Sequence, residues 1–294
     1  MESQPVVDTH VHFWDLKHAN LRYEWLAPEA VHPTLGDIDA IKSQRFDIDA
    51  LWAEARFADV AGFVHVEAAV SSSDPIGETR WLTEMRRRTS AAPFVIVAHA
   101  ALGEPGVENI LDGHSESPYV VGIRDFGAEP YLVSGETSDV YEASLTSLTQ
   151  RGLIFDLDCE WQNFEQARHL AQRHPELRIV LEHLGYPRRR DLEYFTGWKA
   201  ALTMLALEPN IHCKISGIGM TDPRGDSTSF GPWIDHCLQS FGPGRCVIGS
   251  NWPVDRLVSS YDAIMSIYRR NLAGFSVSEQ AAVCSGNAKE LYGF

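Results

Sequence analysis

The sequence predicts one α/β domain built as a (β/α)8, TIM-type barrel. Eight short β-branched runs recur along the chain, separated by longer amphipathic stretches, the pattern of right-handed βαβ units around a parallel sheet. A length of 294 residues suits eight such units better than an open doubly wound sheet. No linker or low-complexity tract divides the chain, so 1–294 is read as a single domain.

Strands are expected at 6–12, 62–68, 94–100, 119–126, 153–159, 178–183, 211–216 and 246–251. Helices are expected at 49–60, 78–88, 141–150, 164–173, 192–207, 233–241 and 261–272, with a short segment at 107–111 and a last one at 278–291. Side chains alternate across a strand, and the outer face of a barrel packs on helices. The first strand then turns Val7, Thr9 and Val11 outward and Asp8, His10 and His12 inward. The second turns Val64 and Val66 outward and His65 and Glu67 inward. In the fourth, Val121 and Ile123 face the helices and Arg124 the axis. In the fifth, Phe155, Leu157 and Cys159 face outward and Asp156 and Asp158 inward. The sixth carries His183 behind an inward Ile179 and Leu181. The seventh turns His212, Lys214 and Ser216 inward against Ile211, Cys213 and Ile215, and in the eighth Asn251 shares a face with Val247 and Gly249. Such a gathering of buried charge is costly unless paired or bound to a ligand or ion. Ion pairs plugging the floor account for Asp156 and His212; His10, His12, Arg124 and His183, nearer the strand ends, are read as functional.

Two connections are too long to be plain loops, 13–46 with Trp14, Tyr23, Trp25 and His32, and 218–232 with Asp222, Arg224 and Asp226. Both leave the C-terminal ends of strands, the face where barrel enzymes place their sites.

The chain has 25 Lys and Arg against 40 Asp and Glu, a net charge of −15, which excludes a nucleic-acid or anionic-membrane binder with its basic face. The arginine triplets at 86–88 and 188–190 read as solvated surface. Hydrophobic residues at 44% imply a sizeable core. Five scattered cysteines without CxxC spacing indicate free thiols in a reducing compartment. The opening residues show no signal-peptide pattern, and the longest apolar run, 91–102, falls short of a membrane span. A cytoplasmic protein is expected, with homo-oligomerisation left open.

His10 and His12, two apart on one strand, sit at metal-ligand spacing, and zinc takes imidazole ligands while keeping an open position for water. Their place on strand one of a barrel, with His183 on strand six, strengthens that signal.

Val7-Asp8-Thr9-His10-Val11-His12-Phe13-Trp14-Asp15 resembles the opening of the amidohydrolase superfamily, and within it the branch of sugar-lactone hydrolases and 2-pyrone-4,6-dicarboxylate lactonase. The resemblance continues through Glu78-Thr79-Arg80-Trp81-Leu82, Gly122-Ile123-Arg124, Glu182-His183-Leu184-Gly185, Cys213-Lys214-Ile215-Ser216-Gly217, Gly249-Ser250-Asn251-Trp252-Pro253-Val254 and Asn287-Ala288. It implies a barrel that opens a small sugar- or aromatic-derived lactone by water attack on the ring carbonyl. His10 and His12 would bind one divalent metal, zinc first, or touch the carbonyl directly, since members of the branch differ in metal need. His183 would be a ligand or a proton-transfer group. Arg124 would hold a substrate oxygen through its fixed fork of donors, with Glu67 beside it, and Tyr23 and Trp25 would stack over the ring.

Two positions depart from the family pattern. The superfamily usually carries a catalytic Asp at the end of strand eight, where this chain has Asn251, and an amide cannot take a proton from water. His183, Glu67 or Asp158 would then activate water. Strand four offers Arg124 rather than a bridging Lys or Glu, against a two-metal site. The alternatives to hydrolysis are a lactone isomerase or a decarboxylase using the same site, or an inactive relative that only binds ligand.

Overall fold

The computed structural model describes residues 4–89, 93–126, 128–220, 222 and 226–294. Arg224, noted above in the second long connection, lies outside the described residues. Eight parallel strands pair in chain order: β1 Val6–Val11, β2 Val60–Val66, β3 Phe94–His99, β4 Val120–Arg124, β5 Ile154–Leu157, β6 Ile179–Leu181, β7 Ile211–Ile215 and β8 Cys246–Ile248. The ring closes between β8 and β1 just past the regular ladder. Val11 bridges Trp252, His12 N–H donates to Trp252 O at 2.8 Å, and Thr9 Oγ1 donates to Ile248 O at 2.9 Å. The result is the expected (β/α)8 barrel.

Around it run α1 Ile48–Ala55, α2 Gly77–Arg88, α3 Val107–Ser115, α4 Ala128–Ser134, α5 Asp139–Arg151, α6 Phe164–Arg173, α7 Leu192–Leu205, α8 Ser227–Phe241 and α9 Tyr261–Leu272. The chain ends in α10 Val277–Ala281, a π turn and α11 Asn287–Tyr292. Short polar side chains start many of these helices by accepting an orphan backbone N–H, as Asp47, Ser138, Asp191, Asp226, Ser260 and Ser276 do. Helix α4 has no counterpart in the sequence expectation, and α8 begins six residues before 233, with Pro232 inside it. The first long connection is anchored by a two-residue antiparallel ladder, Trp14–Asp15 against Arg45–Phe46. Among the described residues no helix is long and apolar enough to cross a membrane.

Register shows which side chains face the axis. Val66 pairs with Val97, Val97 with Gly122, and Gly122 with Ile154, while one pleat further Arg124 pairs with Asp156. Asp156 on β5 contacts Lys214 on β7, two strands away, so this face is the interior. Its floor is a valine layer, with Val7, Val64, Val66, Val95, Val97, Val180 and Val247 clustered around Ile154 and sealed by Ala288, Leu291 and Tyr292 of α11. Outward-facing Phe63, Phe94, Ile96, Ile123, Phe155, Ile179, Leu181 and Ile248 belong to a separate, larger core beneath the helices.

This layering corrects three orientations. Val64 and Val66 point inward and His65 outward, because a closed barrel is apolar on both faces and polarity alone does not mark its inside. His65 Nδ1 accepts the Phe13 N–H at 3.1 Å, and its Nε2 lies 3.6 Å from Glu78 Oε1 on α2. Asp8 also faces outward, accepting from Ser250 N–H at 2.7 Å and the Tyr261 hydroxyl at 2.8 Å. A register irregularity between Asp8 and Val11 shifts the phase, so Val7, His10 and His12 all reach the interior. On β6, Ile179 and Leu181 face the helices, and Val180 is the inward residue.

Two outcomes follow from these layers. Leu291→Ala should remove the seal under the valine floor and cost about 2–5 kcal/mol in urea denaturation, whereas a loss below ~0.5 kcal/mol would mean the floor closes without α11. Glu78 is buried, both of its oxygens near the Ala68 N–H at 3.1 and 3.2 Å, and burial pushes its carboxyl up from 4.5 to about 8. The folded state therefore holds a proton that the unfolded chain releases above pH 4.5. Stability from this group is full below that pH and is lost toward pH 8, by up to ~1.4 kcal/mol per unit. Glu78→Gln should flatten the decline between pH 5 and 8; an unchanged pH dependence would contradict the assignment.

Candidate active site

Above the valine floor the interior turns polar. His12 Nδ1 lies 2.8 Å from Val66 O, and a carbonyl only accepts, so Nδ1 carries the proton and Nε2 presents a lone pair. His10 Nδ1 faces Glu182 Oε1 at 3.3 Å, which favours a proton on that nitrogen as well. The Nε2 atoms of the two rings then face each other, 3.1 Å apart, with a lone pair on each. Two facing lone pairs need a proton or a metal ion between them. His10 Nδ1 and Glu182 Oε1 are also buried without a hydrogen-bond partner of good geometry. Donor atoms of His10, Glu182 and His183 lie within 4.8 Å of one another. These residues fit a divalent metal by donor type and spacing.

A lattice of buried charges supports the histidines. Arg124 donates from Nε to Glu67 Oε1 at 2.7 Å, from Nη1 to Glu182 Oε2 at 2.9 Å and from Nη2 to the Glu67 carbonyl at 2.9 Å. Lys214 donates to Asp156 and lies 3.5 Å from Glu182 Oε1. Burial opposes charge on Glu182, yet Arg124 and Lys214 hold its carboxyl down at about 2. Burial lifts Asp156 to about 6 against the pull of Lys214. Burial and the neighbouring cations drop His12 and His183 to about 3, so both rings are neutral at pH 7.

His183 reaches the axis by an unusual backbone path. The chain leaves β6 at Leu181, Glu182 turns inward in the row of Val180, and His183, Leu184, Gly185 and Tyr186 all take positive φ, at 50, 57, 72 and 51°. Such angles cost roughly 1–2 kcal/mol per non-glycine residue and persist only where packing enforces them. Trp198 of α7 helps by donating from Nε1 to Leu184 O at 2.8 Å. His183 Nδ1 meets Ser216 Oγ at 2.8 Å. At Gly217 a Cβ would stand 2.3 Å from His183 Nδ1, and at Gly249 one would stand 2.6 Å from His10 Cβ, so both positions need the missing side chain.

His12, Arg124 and His183 line a cavity of about 410 Å³, large enough for a small organic molecule. His12, Glu67, Arg124, His183 and Asn251 form its inner wall, and Trp25, His32, Phe126, Tyr186 and Arg188 its mouth. Trp25 is held by its Nε1 donating to Ala68 O at 3.0 Å. Tyr23 does not line the cavity; it is buried in the outer core, its hydroxyl accepting from Asp15 N–H at 3.4 Å. Arg124 has three donors committed to Glu67 and Glu182, leaving two of its five N–H groups for a ligand. Asn251, φ 57°, donates from Nδ2 to Asp255 Oδ1 at 2.9 Å.

Three contributors escape the sequence reading. Glu182 is hidden by the wrong phase on strand six; strict alternation from Val180 finds it. Arg188, read as solvated surface, instead reaches the cavity mouth, with Nε on Glu160 at 2.6 Å and Nη1 on Thr34 at 2.8 Å. Asp255 gives no pattern signal, because its loop is not periodic.

An amidohydrolase family model matches residues 7–294. The uncharacterized protein y4mH of Sinorhizobium fredii is 34% identical over 300 aligned positions, covering 99% of each chain. The L-fucono-1,5-lactonase of Burkholderia multivorans is 27% identical, with 97% of this chain and 95% of that one covered. Among solved structures, an amidohydrolase from Burkholderia multivorans with bound zinc superposes with a TM-score of 0.81 at 23% identity, covering 99% of both chains. With a barrel in which His12, facing His10, lines a cavity just past the first strand, and a family match that spans the chain from Val7 to its last residue, this protein belongs to the amidohydrolase family.

Proposed function

We propose that the chain, acting as one domain over 1–294, hydrolyses a small sugar- or aromatic-derived lactone. The observation that carries this reading is the facing pair of His10 and His12 at the base of a cavity sized for one small molecule. Similarity to a protein named L-fucono-1,5-lactonase supports the reaction class. The five cysteines are free and buried, which supports the reducing, cytoplasmic setting.

His10 and His12 would hold the metal through Nε2, with His183 or Glu182 as a further ligand. Zinc is proposed from the imidazole donors; bound there it supplies Lewis acidity toward the ring carbonyl. Of the chain's own residues, Arg124 orients the lactone with its two remaining donors, and Trp25 and Phe126 give the ring apolar surface on which to stack. Tyr23, packed in the outer core, is left out of this assignment. His183, where it is not spent as a ligand, is the base: neutral at pH 7, it takes the proton as water adds to the carbonyl carbon. The ring C–O bond then breaks, the same proton passes to the departing alkoxide, and the hydroxy acid leaves ionised.

Lactone opening releases one proton per turnover, isomerisation releases none and decarboxylation releases CO₂. A pH-stat assay at pH 7–8 on a panel of sugar and pyrone-type lactones should show acid release from at least one. His12→Ala should lower kcat/KM about 100-fold or more. Chelation should abolish the rate and zinc restore it. Absence of acid release across the panel, with tight ligand binding retained, would leave a binding protein in place of the hydrolase.

A further inference from the structure

Asn251 stands in the cavity wall without the proton-accepting ability of a carboxylate, and its surroundings show how an amide is made to serve there. We infer that Asp255 is a positioning residue that fixes the Asn251 amide with its oxygen toward the cavity, an inference that rests on the lactone-opening reading. Asp255 lies in the 3-10 turn Val254–Leu257 and is only 1% exposed. Its Oδ1 accepts from Asn251 Nδ2 at 2.9 Å, and its Oδ2 accepts the backbone N–H of Gly219 at 3.1 Å.

A carboxylate only accepts, so the amide nitrogen must face Asp255, and Asn251 offers its Oδ1 to the cavity it lines. There the oxygen can accept a hydrogen bond from the attacking water and aim its lone pair at the carbonyl carbon. The second contact binds the loop after β7 to the loop after β8. Gly219 permits the approach, since a Cβ at that position would stand 2.9 Å from Asp255 Oδ2. Two residues earlier in the same loop, Gly217 lies against the His183 ring. One buried carboxyl thus sets the amide on one loop and the backbone beside His183 on the other.

The donor arithmetic gives a specific test. With Asp255→Asn, position 255 has a single acceptor oxygen for two donors, Asn251 Nδ2 and Gly219 N–H, so one contact is lost. With Asn251→Asp, two carboxyl groups face each other and repel. The double exchange N251D/D255N restores both contacts, since the amide now at position 255 donates to the carboxylate now at position 251 and accepts from Gly219. Burial pushes the Asp255 carboxyl up to about 7, so the assays are run at pH 8.

On a lactone that the parent protein opens, each single variant should lose roughly 10–100-fold in kcat with KM within about threefold, and the double should recover to within about tenfold of the parent. A D255N variant with parental kcat, or a double no better than its worse single, overturns the inference. Should D255N not fold, N251D carries the test, because a kcat equal to the parent's contradicts the pairing. If the parent opens no lactone, the lactone reading fails separately, and the pairing is judged without substrate. The ¹⁵N side-chain amide signal that vanishes in N251D should exchange slowly in the parent and faster in D255N; fast exchange in the parent overturns the pairing.

Discussion

The placement of Arg124 between Glu67 and Glu182 is the constraint on which the rest of the site depends. Each buried ion costs several kcal/mol to take out of water, and only close, well-directed partners offset that. Arg124 links the end of β4 to the residues just beyond β2 and β6, and Lys214 links β7 to β5 and to the same Glu182. Two cations and three carboxyl groups thus brace one another across the barrel. Glu182, held in this lattice, favours a proton on the near nitrogen of His10 and frees the far one. That nitrogen meets His12, whose own proton is assigned by the Val66 carbonyl. The protonation of the two facing imidazoles is therefore set by a buried carboxylate and a backbone carbonyl behind them.

The interior divides sharply along its axis. Valines fill the lower part, where β-branched side chains pack well against the pleated wall and α11 excludes water. The ionised groups begin about one pleat higher, at Asp156, Arg124 and Lys214. A dry floor strengthens every electrostatic contact above it, because field lines cannot relax into solvent from that side. The mouth is built from side chains of a different kind, rings and the exposed Arg188, carried by the connections rather than the strands. Wall and rim are thus supplied by separate parts of the chain, strands and connections.

Much of this architecture is legible in the sequence. The eight strands follow from β-branched runs, and Arg124 and Lys214 meet at the axis as alternation implies, while His10, His12 and His183 reach it through departures from alternation. Legibility ends where the backbone departs from alternation. The irregularity after Asp8 turns that carboxyl toward Tyr261, and the positive-φ run after Leu181 brings His183 inward by a route no strand pattern describes. His65 runs against expectation because a histidine in a strand does not by itself mark the interior; its partners are Phe13 and Glu78 on the helix side. Tyr23 and Arg188 exchange expectations, one packed in the core and the other at the cavity mouth. Both sit on connections, where sequence carries little record of which way the chain turns.

Ring closure has a consequence in time as well as in space. Thr9 and Ile248 meet across 239 positions of sequence, and the seal beneath the valine floor comes from residues 288–292. Neither contact can form on a ribosome until positions 248 and 288–292 have emerged. Until then β1 has β2 on one side and an open row of backbone donors and acceptors on the other, an edge prone to pairing with another chain. Contacts this far apart in sequence are also slow to form, since loop entropy is lost before the pairing is gained. The geometry that seals the floor of the site in the finished molecule makes the barrel's last step of assembly its most exposed one.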